Sequence, residues 1–66
     1  AAQSKKDFIS KMSIASKEAR ETNYWLWLIR DSKICPDVNL SQIIKDSNEI
    51  IAILSSIVKT SKNNKN

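Results

Sequence analysis

The sequence contains no histidine and no glycine, and it has one proline and one cysteine among its 66 residues. Without histidine, the chain lacks a common general base and a common zinc ligand. Without glycine, a glycine-rich phosphate loop is excluded and the many tight turns of a β-rich fold are disfavoured. The lone Cys35 cannot form a disulfide within the chain. These absences leave an all-α fold as the expected class.

Long hydrophobic runs are also missing. No apolar run approaches the ~20 residues that span a bilayer, and no segment resembles a secretory signal. A lone thiol without a targeting signal favours a cytoplasmic location. A chain this short buries only ~60% of the surface that its unfolded form exposes, so a core of its own is marginal. With a disulfide and a zinc site excluded, association with more protein is the expected source of stability.

The first half of the chain has the start signal and the spacing of one long helix. Ser4 is placed as an N-cap and Asp7 stands three residues later, an arrangement similar to a capping box. Apolar and small side chains then follow the alternating four- and three-residue steps of a heptad seam. This predicted seam consists of Phe8, Met12, Ala15, Ala19, Thr22, Leu26 and Ile29. The pattern predicts a helix over about residues 5–33.

A second helix is predicted after a turn at residues 34–39. Pro36 forces its preceding residue out of the α region, and Asn39 with Gln42 forms a new N-terminal signal. The helix is predicted over about residues 40–60, followed by a frayed or disordered polar tail at 61–66. Its predicted seam is Ile43, Ser47, Ile50, Leu54 and Ile57, with a second stripe of Ile44, Ile51 and Val58 beside it. The short connection predicts an antiparallel helical hairpin.

Both helices carry more apolar surface than such a hairpin can bury. Residues 50–54 and 25–29 are apolar on every side of their helices, which is typical of buried helices. The candidate residues for an oligomer or bundle interface are Trp25, Trp27, Ile51, Ile53 and Val58. The heptad spacing favours a core completed by other helices. A recognition groove for an unrelated partner is the alternative.

The sequence offers little for catalysis. Cys35 has no histidine near it in the turn, which favours an inert thiol over a nucleophile. Glu18 and Glu21 share a helix face, but bundle di-iron sites use Glu-x-x-His motifs and this chain has no histidine. A solvated face is therefore favoured over a metal site. We predict no catalytic, cofactor-binding or metal-binding residue, and a protein that is not an enzyme.

The charge balance is mildly basic, with a formal net charge of +4. This balance permits anionic partners without requiring them. The candidate residues for contact with nucleic acid are Lys5, Lys6, Lys11, Lys17, Arg20 and Lys62. Lys59 has a simpler role available, since a cation near a helix C-terminus complements the helix dipole. Repeated around a symmetric oligomer, these charges would sum to a substantial field.

Three segments carry a family resemblance. They are SKKDFISKM at residues 4–12, KEARETNYWL at residues 17–26 and NEIIAILSSI at residues 48–57. Together they resemble the four-helix-bundle family encoded in intervening sequences of bacterial large-subunit (23S) rRNA genes. The resemblance implies that residues 1–66 are a single partial domain, equivalent to the third and fourth helices of an up-down four-helix bundle. The first two helices would then precede Ala1.

The resemblance also has implications for partners. Family members are expected to form ring-like homo-oligomers, often pentamers, and a related group that accompanies retroelements engages nucleic acid and a reverse transcriptase. The leading hypothesis is therefore a non-enzymatic, oligomer-forming helical protein that binds RNA or DNA through a basic surface. The alternative is a protein–protein interaction scaffold without a role in nucleic-acid binding.

Overall fold

The computed structural model describes residues 4–63, which form two α-helices packed against each other as a hairpin. Helix α1 spans Lys5–Ser32 and helix α2 spans Ser41–Asn63. Between residues 4 and 63 there is no β-strand. The predicted all-α hairpin is confirmed.

Helix α1 begins as predicted and ends for a different reason. Ser4 has extended backbone angles, and its Oγ accepts a hydrogen bond from the Asp7 amide at 3.0 Å. At the other end, Lys33 adopts the left-handed conformation with φ 58° and ψ 28°, and its amide donates to the Arg30 carbonyl at 3.3 Å. The helix thus stops at a left-handed cap, three residues before Pro36.

Pro36 instead shapes the turn between the helices. The Val38 amide donates to the Cys35 carbonyl at 3.1 Å, which places Pro36 and Asp37 at the two central positions of a turn. Proline suits the first of these positions because its ring fixes φ near −65°. The connection occupies residues 33–40.

Helix α2 begins at Ser41, so its N-cap is Leu40 and not the predicted Asn39. The Leu40 carbonyl accepts the first helical bond from the Ile44 amide at 2.9 Å, and the Asn39 Oδ1 accepts a bond from the Ser41 amide at 2.9 Å, as in an Asx turn just before the helix. Gln42 does not complete a capping box with Asn39, because its Nε2 donates to the Asp46 Oδ1 at 2.8 Å. Asp46, one turn further along α2, therefore binds the Gln42 side chain that was predicted to complete the capping box.

The prediction of a frayed or disordered tail at residues 61–66 is wrong for residues 61–63, because α2 continues to Asn63. Ser61 is half-buried and lies on the same face of α2 as Leu54 and Val58. Packing against α1 therefore extends the helix beyond the point where apolar residues stop, because tertiary contact supplies most helical stability. The remainder of the predicted tail, residues 64–66, lies outside the described residues.

The face that α2 turns toward α1 includes only part of its predicted seam. The buried or half-buried positions of α2 are Ile44, Ser47, Ile51, Leu54, Ser55, Ile57, Val58 and Ser61. Ile43 and Ile50 from the predicted seam are 49% and 51% exposed. All three residues of the stripe predicted beside the seam thus face α1, together with Ser47, Leu54 and Ile57 from the seam itself. In a two-helix hairpin, burial of an α2 side chain comes chiefly from the facing helix.

The predicted seam of α1 is correct over most of its length. Phe8, Met12, Ala15, Ala19 and Leu26 are all half-buried, whereas Thr22 and Ile29 are exposed. Asn23 takes the place of Thr22 at the interface. Its Nδ2 donates to the Ser47 Oγ at 3.1 Å and to the Asn48 Oδ1 at 2.9 Å. A polar cluster therefore sits at the middle of the interhelix contact.

The hairpin has almost no core of its own. Among residues 4–63, only Ile44 and Ser47 are buried, at 4% and 9% exposure. The excess of apolar surface expected from the sequence is confirmed. Neither described helix combines the length and hydropathy that a membrane-crossing helix needs.

Candidate interaction surfaces

One side of the hairpin, which we call the apolar side, carries the predicted seam positions that α1 and α2 do not bury against each other. An open groove of about 310 Å³ runs between the helices on this side. It is lined by Ala19, Thr22, Leu26, Ile43, Asp46, Ser47 and Ile50. Asp46 is the one charged residue in this lining. Such a groove suits the apolar side chains of a further helix.

Helix α2 contributes a row of exposed isoleucines to the apolar side. Ile43, Ile50 and Ile53 are 49%, 51% and 59% exposed. They follow the seven- and three-residue spacing that keeps side chains on one helix face. Each large aliphatic side chain gains about 1.5–3 kcal/mol when it is fully buried. Covering this row would therefore contribute several kcal/mol to an assembly.

A second apolar hollow lies at the loop end of the hairpin. Its volume is about 400 Å³, and its lining residues are Trp25, Leu28, Ile29, Ser32 and Ile34. Trp25 is 60% exposed and packs edge-on against Tyr24, with ring centroids 5.5 Å apart. Ile34 is 75% exposed. This end therefore extends the unburied apolar surface beyond the groove.

A groove of opposite character opens on the other side, and we call it the basic groove. It has a volume of about 420 Å³ and is lined by Ser13, Ser16, Arg20, Ser55, Val58, Lys59, Lys62 and Asn63. The basic groove and the apolar groove open on nearly opposite sides of the hairpin. Arg20 lines the basic groove and Thr22 lines the apolar one, and these two residues lie roughly 160° apart around the axis of α1. Of the described residues that line the basic groove, none is acidic.

The antiparallel pairing of the helices builds the basic groove. It places the N-terminal half of α1 beside the C-terminal part of α2, so Arg20 meets the lysines of α2. The Arg20 Nη2 donates to the Ser55 Oγ at 2.8 Å. That bond uses one of the five N–H donors of the guanidinium and leaves others for a ligand.

The structure brings together only some of the predicted nucleic-acid contacts. Arg20 and Lys62 share the basic groove, and all six predicted residues are exposed. Lys6 lies seven residues before Ser13, on the same face of α1 as this groove. Lys11 lies roughly 120° around the axis from Lys17, so these two residues do not form a common patch. Lys5 and Lys17 are not in the groove lining.

Lys59 is the functional candidate that the sequence argument missed. The three-residue spacing of Lys59 and Lys62 was the available signal, because it puts both on one face of α2. Treating Lys59 only as a partner of the helix dipole overlooked that antiparallel helices would place it opposite Arg20. The serines at 13, 16 and 55 had no signal as a group, since they meet only through tertiary packing.

The five predicted interface residues occupy different environments. Trp25 and Ile53 are exposed, as a docking residue must be before its partner arrives. Trp27 is 38% exposed, and the Arg30 guanidinium carbon lies 4.0 Å from its ring centroid in a cation–π contact. Ile51 and Val58 are half-buried on the stripe that faces α1. Those two therefore help to hold the hairpin together.

The side chains considered for catalysis or metal binding stand apart from these grooves. Cys35 is an exposed free thiol in the turn. Glu18 and Glu21 are exposed on α1. Within the described part of the chain, no three His, Cys, Asp or Glu side chains gather in a way that could hold a metal ion.

Comparison with known proteins agrees with the segments singled out in the sequence. No solved structure and no curated protein matches the chain. The family model described as 23S rRNA-intervening sequence protein matches residues 1–56. Since this match covers most of the 66 residues, the chain belongs to the 23S rRNA-intervening sequence protein family.

Proposed function

We propose that this protein is a non-enzymatic helical assembly subunit whose apolar side packs against further helices. The proposal depends on the row of Ile43, Ile50 and Ile53, which are 49–59% exposed in the hairpin. A monomer in water normally avoids a continuous apolar patch of this kind. The row lies beside an open interhelix groove, so a helix laid along it would bury both together.

The arrangement that fits best is half of an up-down four-helix bundle. Helix α2 carries two adjacent heptad stripes, and the hairpin buries one of them against α1 while Ile43 and Ile50 of the other stay open. Four-helix bundles use such paired stripes because every helix contacts two neighbours. In our proposal the covering helices come from the rest of the same protein and from neighbouring copies of it, which associate as a homo-oligomer, for which the family suggests five subunits. We place this assembly in the cytoplasm.

A single charge on the apolar side tests the assembly. We expect the wild-type chain to have a solution mass above that of a 7.5 kDa monomer. Replacing Ile53 with Asp should dissociate or unfold the particle, because burial of an unpaired carboxylate costs several kcal/mol. Sedimentation equilibrium gives the mass, and thermal unfolding followed by circular dichroism gives the stability.

Ser56→Asp is the matched control. It adds the same charge three residues along α2, at an exposed position about 60° around the axis and further from the groove. This variant should keep the wild-type mass. If Ile53→Asp also keeps the wild-type mass and thermal stability, Ile53 is exposed in the particle and the proposed packing is wrong.

A second function, binding of RNA or DNA, is favoured by one observation. Arg20, Lys59 and Lys62 line one groove together with serine hydroxyls. Lysine and arginine side chains bind phosphates, and serine hydroxyls donate hydrogen bonds to phosphate oxygens. We propose that the assembly presents this groove once per subunit, so that its positive charges add around the particle.

Salt dependence tests this second function. Binding to RNA should weaken steeply as salt rises, because cations that contact phosphates release condensed counterions. A fluorescence-anisotropy titration at several salt concentrations measures the slope of log K against log salt. No binding at low salt, or binding indifferent to salt, would favour the alternative of a protein–protein scaffold without nucleic acid.

A further inference from the structure

An exposed aromatic side chain lies one turn of α1 beyond the last residue of that helix in the basic groove lining. Tyr24 follows Arg20 by four residues, which places it ~6 Å further along α1 and about 40° around the axis. Tyr24 is 59% exposed. Its edge-on contact with Trp25 makes it half of an aromatic pair. Cations and an aromatic ring thus follow one another along the same side of the molecule.

The groove itself has the chemistry of a phosphate site. Lys59 and Lys62 are exposed, and the described lining residues contain no carboxylate that would compete for them. Ser13 and Ser16 add hydroxyl donors from the facing helix. Arg20 is held by Ser55 at 2.8 Å, which orients the guanidinium before a ligand arrives. A phosphodiester group in this groove would meet donors from both helices.

We propose that this side of the hairpin is a binding site for single-stranded nucleic acid. The backbone phosphates lie on Arg20, Lys59 and Lys62, and an unpaired base stacks on Tyr24. This inference rests on the proposed nucleic-acid function and assigns it a site and a strand type. The single strand follows from Tyr24, because a ring can stack on a base face only when that base is not enclosed in a duplex.

Charge neutralisation tests the phosphate contacts. The probe is an oligouridylate of about 12 nucleotides, within the range that single-strand sites occupy. Arg20→Gln, Lys59→Gln and Lys62→Gln, combined in one chain, should weaken binding on the order of tenfold or more. The slope of log K against log salt should also fall by about 2, since each phosphate contact on a single strand contributes about 0.7.

The matched control combines Arg30→Gln, Lys33→Gln and Lys45→Gln. This control also removes three positive charges, but from exposed positions outside the groove lining. We expect a much smaller loss of affinity and an almost unchanged salt slope. If both triple variants weaken binding equally, net charge alone accounts for the affinity and the proposed site is wrong, although the nucleic-acid function stands.

Replacement of Tyr24 tests the stacking contact. Tyr24→Ala should weaken binding of the oligouridylate roughly 5- to 100-fold, the range expected for loss of one stacked base. Tyr24→Phe keeps the ring and should bind like the wild type. Circular dichroism checks that both variants keep the wild-type helix content. Equal binding by the Ala and Phe variants would overturn the assigned role of Tyr24.

A comparison of duplex with single-stranded RNA tests the assigned strand type. A duplex RNA of the same length should bind more weakly than the oligouridylate at equal salt. Equal or tighter binding of the duplex would overturn the single-strand assignment. No binding of either RNA at low salt would remove the nucleic-acid function and this site together, while the proposed assembly would still be judged by its solution mass.

Discussion

Lys33 shows how a single residue sets the end of a helix. The backbone leaves α1 through a left-handed conformation at φ 58°, which a side chain with a Cβ atom disfavours. Glycine is the usual residue at this position because it has no Cβ. The chain contains no glycine, so a lysine occupies a site that costs it conformational energy. The benefit is a bond from its amide to the Arg30 carbonyl.

Replacing Lys33 with Gly should therefore stabilise the protein by about 0.5–1 kcal/mol, which is the ~1–2 kcal/mol steric cost of the left-handed conformation minus the ~0.5–1 kcal/mol entropic cost of glycine. The change relieves the steric cost and keeps the backbone hydrogen bond. Urea unfolding followed by circular dichroism measures the difference. Lys33→Ala is the control, because it removes the charge and retains the Cβ. An equal gain from both variants would mean that the charge, rather than the backbone conformation, limits stability here.

The helices themselves were largely predictable from the sequence. Ser4 and Asp7 marked the start of α1, and Asn39 marked the start of α2, because capping depends on local hydrogen bonds. The end of α1 was also predicted to within one residue, but its cause was not. The left-handed cap at Lys33 has no glycine to mark it, so the sequence argument attributed the end to Pro36.

The pairing face of α2 was not predictable from periodicity alone. Its two predicted stripes lie side by side and have the same heptad spacing, so either could have faced α1, and the structure buries residues of both. The basic groove was predictable only in part, for the same reason. Arg20 and Lys62 were recognised separately, whereas their meeting depends on which faces of the two helices come together.

Asn23 makes the polar contact that distinguishes the observed pairing of α1 and α2 from other alignments of the two helices. It donates to Ser47 and Asn48 at the middle of the interface, and Ser47 is one of the two buried residues in the described chain. A polar contact in an otherwise apolar seam fixes one register, because sliding either helix would leave these groups without partners. Apolar contacts alone would tolerate more than one alignment.

Asn23→Ala should lower the free energy of unfolding by about 1–2 kcal/mol, since it removes both hydrogen bonds and leaves buried Ser47 with one partner fewer. A double-mutant cycle with Ser47→Ala should give a coupling energy of at least about 0.5 kcal/mol. Urea unfolding of the four proteins measures it. If the two single effects simply add, the contact does not contribute to the pairing of the helices.

At the scale of the whole molecule, the hairpin is a rod. Its extents are 49 × 18 × 17 Å, and its radius of gyration is 15.3 Å. A compact domain of the same number of residues would have a radius of gyration near ~11 Å. A rod of two helices has too little interior to bury its apolar side chains, which accounts for a core of only two buried residues between residues 4 and 63.

The shape therefore ties folding to association, which makes stability depend on concentration. If a dimer is the smallest folded unit, a tenfold rise in protein concentration stabilises it by about 1.4 kcal/mol. With an unfolding entropy of about 2.1 cal/mol/K per residue, the Tm of two such chains should rise by about 5 °C. Differential scanning calorimetry across a hundredfold concentration range measures this rise.

Ser56→Asp should show the same concentration dependence as the wild type, because its charge lies further from the groove. Ile53→Asp should unfold at a lower Tm that changes little with concentration, since the added carboxylate opposes the contact that couples folding to association. A wild-type Tm that stays constant over the whole range, together with a monomeric mass, would mean that the two helices are stable alone. The exposed isoleucine row would then need an explanation other than assembly.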